Sequence, residues 1–337
     1  MTVPELRFDA AINPYGCAPS VVAALTEAVQ ARGYRHYGDI DASRLRARLS
    51  EHLGVTPANI LVYNGAGEAF VWQSLTALMF AGGTFLAPFP SYERFVEVGR
   101  RCARAVVEVP LSPPDWRLPI DRFIDEGRRC EARMAMISSP NNPTGNRLVD
   151  ADSLAALLAA LPDCTVVVDE AYSEYTNQTL APMVRRWPNL VVLKTFSKAY
   201  GLAGLRVGYL VAHETRAAGA RRTQIPWAVD CLALTAAEAA LAYQAYLRDV
   251  VSRIRGDVGE LGAALGGQPL ARVCPTEANF HLVELADISW EELAPVLSDA
   301  GIAVRRRPDM PRHIRITSML PEANATLLRT LARVRKQ

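Results

Sequence analysis

Lysine is almost absent from this chain. Of its 37 basic side chains only Lys194, Lys198 and Lys336 are lysines, and the others are arginines. Codon bias in a GC-rich genome is enough to produce that excess of arginine. It still narrows the search for any amine nucleophile, because a guanidinium stays protonated and cannot serve as one. Lys336 lies in the tail, which leaves two candidates. Charge of one sign is missing too. A net charge of +2 supplies no field that would gather nucleic acid or a membrane surface. The six cysteines (Cys17, Cys102, Cys130, Cys164, Cys231 and Cys274) form no Cys-x-x-Cys pair, so buried reduced thiols are expected, with neither a disulfide framework nor a metal site. No apolar run approaches the roughly 18 residues that a membrane span needs. Pro4, Glu5, Arg7 and Asp9 interrupt the first ten residues, which therefore do not read as a signal peptide. Repeats, low-complexity tracts and long linkers are lacking as well. A cytoplasmic protein is the expectation.

What the chain does have is length and alternation. Its 337 residues, half of them hydrophobic, suffice for one large domain or two ordinary ones. Short β-branched runs over 59–62, 84–87, 105–109, 134–138, 165–169, 190–195 and 207–211 predict strands. Helical patterns over 68–80, 93–102 and 151–161 fall between them. Near-continuous apolar strands separated by helices predict an α/β fold with a mainly parallel sheet covered on both faces. Ligands of such sheets bind beyond the carboxyl ends of the strands. After Trp227 the pattern changes to one long Ala/Leu-rich helix over 228–265. Strands over 280–285, 303–306 and 313–317 follow, with helices over 290–300 and 321–334, predicting a smaller α+β unit.

Several groups fall at the predicted strand ends. Lys198, in Thr195-Phe196-Ser197-Lys198, directly follows the strand over 190–195. Hydroxyls at Thr195 and Ser197, Arg206 and nearby glycines make a plausible phosphate cradle, although a surface loop lysine is the plainer alternative. Val166-Val167-Val168-Asp169 ends in a carboxylate that could face a buried cation, with Tyr172 one turn later; alternatively the acids only cap a helix. Ser139-Pro140-Asn141-Asn142-Pro143-Thr144-Gly145 reads as a rigid turn that could hold the Asn142 amide at the same edge. Asn64-Gly65-Ala66-Gly67-Glu68 opens a helix whose free N–H groups could bind phosphate. Tyr92 could stack on a planar ligand or pack in the core, and Arg315 is a lone charge in an apolar strand that could pair with a carboxylate.

In order along nearly the whole chain, these motifs resemble the fold-type I pyridoxal-phosphate (PLP) enzymes. They run from Asn13-Pro14-Tyr15-Gly16 through the Asn64 turn, Asn141-Asn142-Pro143-Thr144-Gly145, Asp169-Glu170-Ala171-Tyr172, Ser197-Lys198, Gly204-Leu205-Arg206-Val207-Gly208-Tyr209 and Ala278-Asn279-Phe280 to Arg315. Within that group the chain looks most like histidinol-phosphate aminotransferases and their relatives, the threonine-phosphate decarboxylases. The resemblance implies the aspartate-aminotransferase fold, with a seven-stranded large domain over 30–235 and a small domain made of 1–29 with 236–337. It also implies a homodimer with shared active sites.

By the same resemblance, Lys198 would carry the cofactor covalently and move the proton at the substrate α-carbon. Asp169 would face the pyridine nitrogen, while Asn142 and Tyr172 would bond the ring oxygen and Tyr92 would stack on the ring. Gly65, Ala66, Gly67, Thr195, Ser197 and Arg206 would hold the phosphate, with Tyr37 reaching it from the neighbouring subunit. On the substrate side Arg315 would clamp the α-carboxylate, Arg305 would meet the distal end, and Asn13 and Tyr37 would also make contact. Transfer of an amino group between an L-amino acid, or an amino-alcohol phosphate, and a 2-keto acid is the first reading. A decarboxylase or lyase on the same scaffold is the second, and a non-catalytic binder the third. The Lys198 and Asp169 motifs favour the first; Arg222-Thr223-Gln224-Ile225-Pro226-Trp227 and the Asn13 segment look more like the decarboxylases.

Overall fold

The computed structural model describes residues 6–79, 82–268 and 271–334, so Lys336, the first five residues and Phe80, the expected end of one helix, lie outside them. Seven strands form one sheet in the spatial order Ile60–Tyr63, Gly208–Ala212, Leu190–Thr195, Thr165–Asp169, Ala132–Ser138, Thr84–Phe89 and Ala105–Pro110. Gly208–Ala212 runs against both of its neighbours, while the other pairings are parallel. The apolar runs make this possible. Val166, Val168, Leu190 and Val192 enter one core, whereas Val167, Val191 and Leu193 enter the core on the opposite face. A strand buried on both sides needs apolar residues at consecutive positions, which is the pattern read from the sequence. At the edge, Ala105–Pro110 is partly exposed.

A second, four-stranded antiparallel sheet is ordered Arg305–Arg306, His313–Thr317, Phe280–Leu285 and Ala271–Val273. Phe8, Leu261, Val283 and Ile314 belong to its core, and Leu6–Arg7 pairs in parallel with Ile302–Ala303. The N-terminal segment is therefore fastened to the C-terminal part of the chain.

Two expectations need correction. The helix expected over 228–265 is two helices, Cys231–Ala242 and Gln244–Gly266, parted at Tyr243 with φ −111° and ψ 62°. The first is buried through Ala233, Ala236, Ala237 and Ala240, and Asp230 caps it by accepting from the Leu232 and Ala233 amides. The second buries Leu247, Val250, Ile254 and Val258 in the large core and then Leu261 and Leu265 in the small one. The break at Tyr243 thus lies within the stretch that faces the large core, and the second helix alone passes from that core to the small one. The strand expected over 303–306 is likewise split, because Ile302–Ala303 and Arg305–Arg306 pair with different partners.

Leu193 is fully buried in the strand that leads to Lys198. Leu193→Ala should cost about 2–5 kcal/mol, read as a lower urea midpoint at unchanged slope. A loss below about 1 kcal/mol would mean the site collapses around the gap.

Candidate active site

The carboxyl ends of the central strands open into a cavity of about 350 Å³. Asn142, Asp169, Tyr172, Thr195, Ser197 and Lys198 line it from the sheet edge, Ala66 and Gly67 from a helix start, and Arg305 and Arg315 from the smaller sheet. Asp169 closes its strand and is buried; its Oδ2 accepts from Ser138 Oγ at 2.9 Å and its Oδ1 from the Ala171 amide at 3.2 Å. Ser138 stands opposite Asp169 in the parallel register, so the bond follows from strand alignment. Burial raises the Asp169 pKa to about 6 against the opposing hydrogen bonds.

Lys198 Nζ donates to the Ala10 carbonyl at 3.5 Å and sits 5.5 Å from the centroid of the Tyr172 ring. Burial, joined by the repulsion of Arg315, lowers its pKa to about 8, while Asp169 pulls the other way. Lys194, the reserve candidate for the amine, proves unsuited to that role. It is buried and ion-paired to Glu170 at 3.2 Å and Glu174 at 3.1 Å, which raises its pKa.

Beside Lys198, three kinds of donor converge: backbone N–H groups, hydroxyls and a guanidinium. Ser197 N donates to Thr195 Oγ1 at 3.1 Å, the two hydroxyls are 2.9 Å apart, and Arg206 Nη1 donates to Ser197 Oγ at 3.3 Å. The helix Ala66–Ser74 begins here with unpaired N–H groups. Gly65 holds φ +88°, and a Cβ on it would lie 2.5 Å from Arg206 Nη2. At Gly208 an added Cβ would meet the Ala66 amide nitrogen at 2.3 Å. The missing side chains let the turn close on the strand and on Arg206. Such a nest fits a phosphate dianion.

Arg315 lies opposite, buried. Its Nη1 donates to Asn142 Oδ1 at 2.9 Å, its Nη2 to the Asp9 carbonyl, and its Nε has no partner. The guanidinium rests 4.9 Å from the Phe280 ring. Among the described residues neither Arg315 nor Arg206 is ion-paired to a carboxylate. A cation without a counter-ion in a cavity, as Arg315 is in buried form and Arg206 in exposed form, is a candidate anion site. Asn142 Nδ2 also donates to the Tyr172 hydroxyl at 3.4 Å, and burial raises the Tyr172 pKa to about 12. Tyr92 lines the wall edge-on to Phe95, with ring centroids 5.1 Å apart.

Two expected contacts are not made within this chain. Asn13 spends its amide on backbone: Nδ2 donates to the Gly16 and Ala199 carbonyls and Oδ1 accepts from the Tyr15 amide, so it fastens a turn and does not face the cavity. Tyr37 is 83% exposed and packs on Trp227, away from the cavity wall. Sequence reasoning also passed over Ser138, Asp9, Ala10, Arg94 and Phe95. Ser138 was discoverable as the end of the strand beside Asp169. Asp9 and Ala10 arrive through Phe8, whose carbonyl accepts from the Thr317 amide, a contact with no local signature.

The family model for class I and II aminotransferases matches residues 4–331. The chain belongs to that family. A histidinol-phosphate aminotransferase from Thermococcus gammatolerans is 32% identical over 93% of this chain and 87% of its own length. The histidinol-phosphate aminotransferase of Sinorhizobium meliloti, solved in complex with pyridoxal 5'-phosphate, superposes with a TM-score of 0.89 at 27% identity, covering 98% of this chain and 90% of that one. A threonine-phosphate decarboxylase from Porphyromonas gingivalis, also 27% identical, reaches 0.84 over 97% of this chain and 98% of its own. The aminotransferase thus has the aspartate-aminotransferase-like fold expected for it, and its family works with PLP.

The raised Asp169 pKa has a consequence for the cofactor-free aminotransferase. The folded state holds this proton more tightly than the unfolded chain, so stability falls as pH climbs from about 4 to 6. Asp169→Asn should remove that loss. The variant should match the wild type near pH 4 and exceed it above pH 6 by on the order of 1–3 kcal/mol in urea melts. Parallel pH profiles would contradict the assignment.

Proposed function

We propose that this aminotransferase carries PLP on Lys198 and moves an amino group between an L-amino acid, or an amino-alcohol phosphate, and a 2-keto acid. One observation carries the reading: an amine of lowered pKa lies in a cavity with a buried carboxylate and two guanidinium groups free of carboxylate partners. The residues fit the cofactor. The nest of Ala66, Gly67, Thr195, Ser197 and Arg206 takes its phosphate, Asp169 its ring nitrogen, Asn142 and Tyr172 its ring oxygen, and Tyr92 its face. Bound PLP supplies an electron sink for the substrate α-carbon.

The remaining steps belong to the protein. With a pKa near 8, Lys198 reaches its neutral form near physiological pH, so it can take the α-proton and return it. Arg315 grips the α-carboxylate and retains it, which leaves the proton as the substituent presented to the amine. Asp169, backed by Ser138 and the Ala171 amide, stays put while charge develops nearby. The relatives found by sequence include histidinol-phosphate aminotransferases and an aromatic amino acid aminotransferase, which favours transamination over the decarboxylation that the fold also hosts.

The same reading assigns residues 30–235 to a large domain and 1–29 with 236–337 to a small one. It makes the protein a cytoplasmic homodimer. Tyr37 and Trp227, exposed and in ring contact at 4.9 Å, would lie in that interface, with Tyr37 reaching the partner's cofactor phosphate.

Borohydride reduction of the holoenzyme should fix the cofactor on the peptide that contains Lys198, as seen by mass spectrometry. Lys198→Ala should lose the adduct; its survival would move the linkage elsewhere. At least one L-amino acid of a donor panel should convert the bound cofactor to its aminated form with release of its keto acid. Carbon dioxide without keto acid would select the lyase reading instead. Arg315→Ala should weaken amino-acid binding roughly tenfold to a hundredfold while leaving cofactor affinity nearly intact, since charged hydrogen bonds contribute about 1.5–3 kcal/mol. Equal losses of both would make Arg315 a structural residue.

A further inference from the structure

The cavity is electrostatically uneven. At its floor, Arg206 and Arg315 have no carboxylate partner among the described residues. At its outer wall every arginine is already matched. Arg94 pairs with Glu97 at 2.8 Å, and Arg305 pairs with Glu93. Arg307, buried behind them, holds Asp309, donates to the Ser91 carbonyl and stands 3.5 Å from the other oxygen of Glu93. Glu93 is also the first residue of the helix Glu93–Cys102, where the helix dipole favours a carboxylate. A side chain gripped on both oxygens at a helix N-terminus is a fixed negative charge. It comes from the large sheet's layer, whereas Arg305 comes from the smaller sheet, so the pair joins the two layers beside the cavity that Arg305 lines.

We propose that Glu93 is a specificity-determining residue, which neutralises Arg305 and turns away substrates with a second anionic group at the distal end. The inference rests on the transamination reading and narrows its substrate class. The favoured substrate has one carboxylate, held by Arg315, and an uncharged distal end. A phosphorylated amino alcohol or a dicarboxylic amino acid must displace Glu93 from Arg305, or bring its own charge against it, and pays in affinity. Discrimination of this kind comes from a repulsive group as much as from an attractive one.

The test compares two inert ligands of equal length, glutarate and valerate, by calorimetry on the purified holoenzyme. Both carry the carboxylate that Arg315 takes, and only glutarate carries a distal charge. The wild type should bind valerate at least as tightly as glutarate. Glu93→Gln should raise the glutarate-to-valerate affinity ratio roughly tenfold, the size expected when one nearby charge is removed from a partly solvated site. Arg305→Met, which removes the cation beside the distal group and leaves Glu93 with Arg307 alone, should lower that ratio below the wild-type value, and it carries the test if Glu93→Gln does not fold. An unchanged ratio in the variants, or a wild-type preference for glutarate, overturns the role of Glu93. Failure of every amino acid to aminate the cofactor would sink the transamination reading, while the binding ratio would still judge Glu93.

Discussion

A lysine amine kept from water beside two arginines, with one carboxylate opposing their repulsion, is the arrangement on which the rest of this protein depends. Lys198 sits in that position because burial and the Arg315 guanidinium both disfavour its proton, whereas Asp169 favours it. Each partner is itself held. Asp169 takes two hydrogen bonds from its own layer, Arg315 is tied to Asn142 and the Asp9 carbonyl, and Arg206 leans on Ser197. Collecting so much charge in one cavity costs stability, and anions bound there would offset part of that cost. Stability is thereby traded for a site that is ready before its ligands arrive.

The parallel sheet makes that collection possible. Strands that run the same way bring their ends to one edge, and the residue after each last apolar position projects into the same space. Ser138, Asp169 and the Thr195–Lys198 turn are neighbours for that reason. The antiparallel strand Gly208–Ala212 contributes differently. Entering at the same edge, it brings Arg206 just before its start and offers Gly208 as the bare surface on which the Ala66 turn lies. The lysine poverty of the chain acquires meaning here: of its two internal lysines, Lys194 is sealed into ion pairs with Glu170 and Glu174, and Lys198 has no such pair among the described residues.

Much of this was legible from residues alone. The seven strands were readable because each carries a short apolar run between turn residues, and Thr165–Asp169 and Leu190–Thr195 have the expected bounds. The floor of the site was readable because its groups follow directly on those strands. What was misread lay where local pattern and tertiary demand differ. The Ala-rich tract after Trp227 contains no proline, yet its helix is interrupted at Tyr243 without a local signature. The backbone contacts of the Asn13 amide likewise have no signature in the spacing of the chain.

The order and chemistry of the apolar runs determined the sheet, the covered faces and the edge at which Lys198, Asp169, Asn142 and Arg206 gather, because hydrophobic period and strand direction are local properties of the chain. Which charges meet across the cavity was decided only in three dimensions. The pairing of Arg305 with Glu93, the open state of Arg315 and the approach of Asp9 and Ala10 join segments hundreds of residues apart, and no spacing encodes them. They depend on how the smaller sheet seats against the larger one, which is a matter of packing between whole layers.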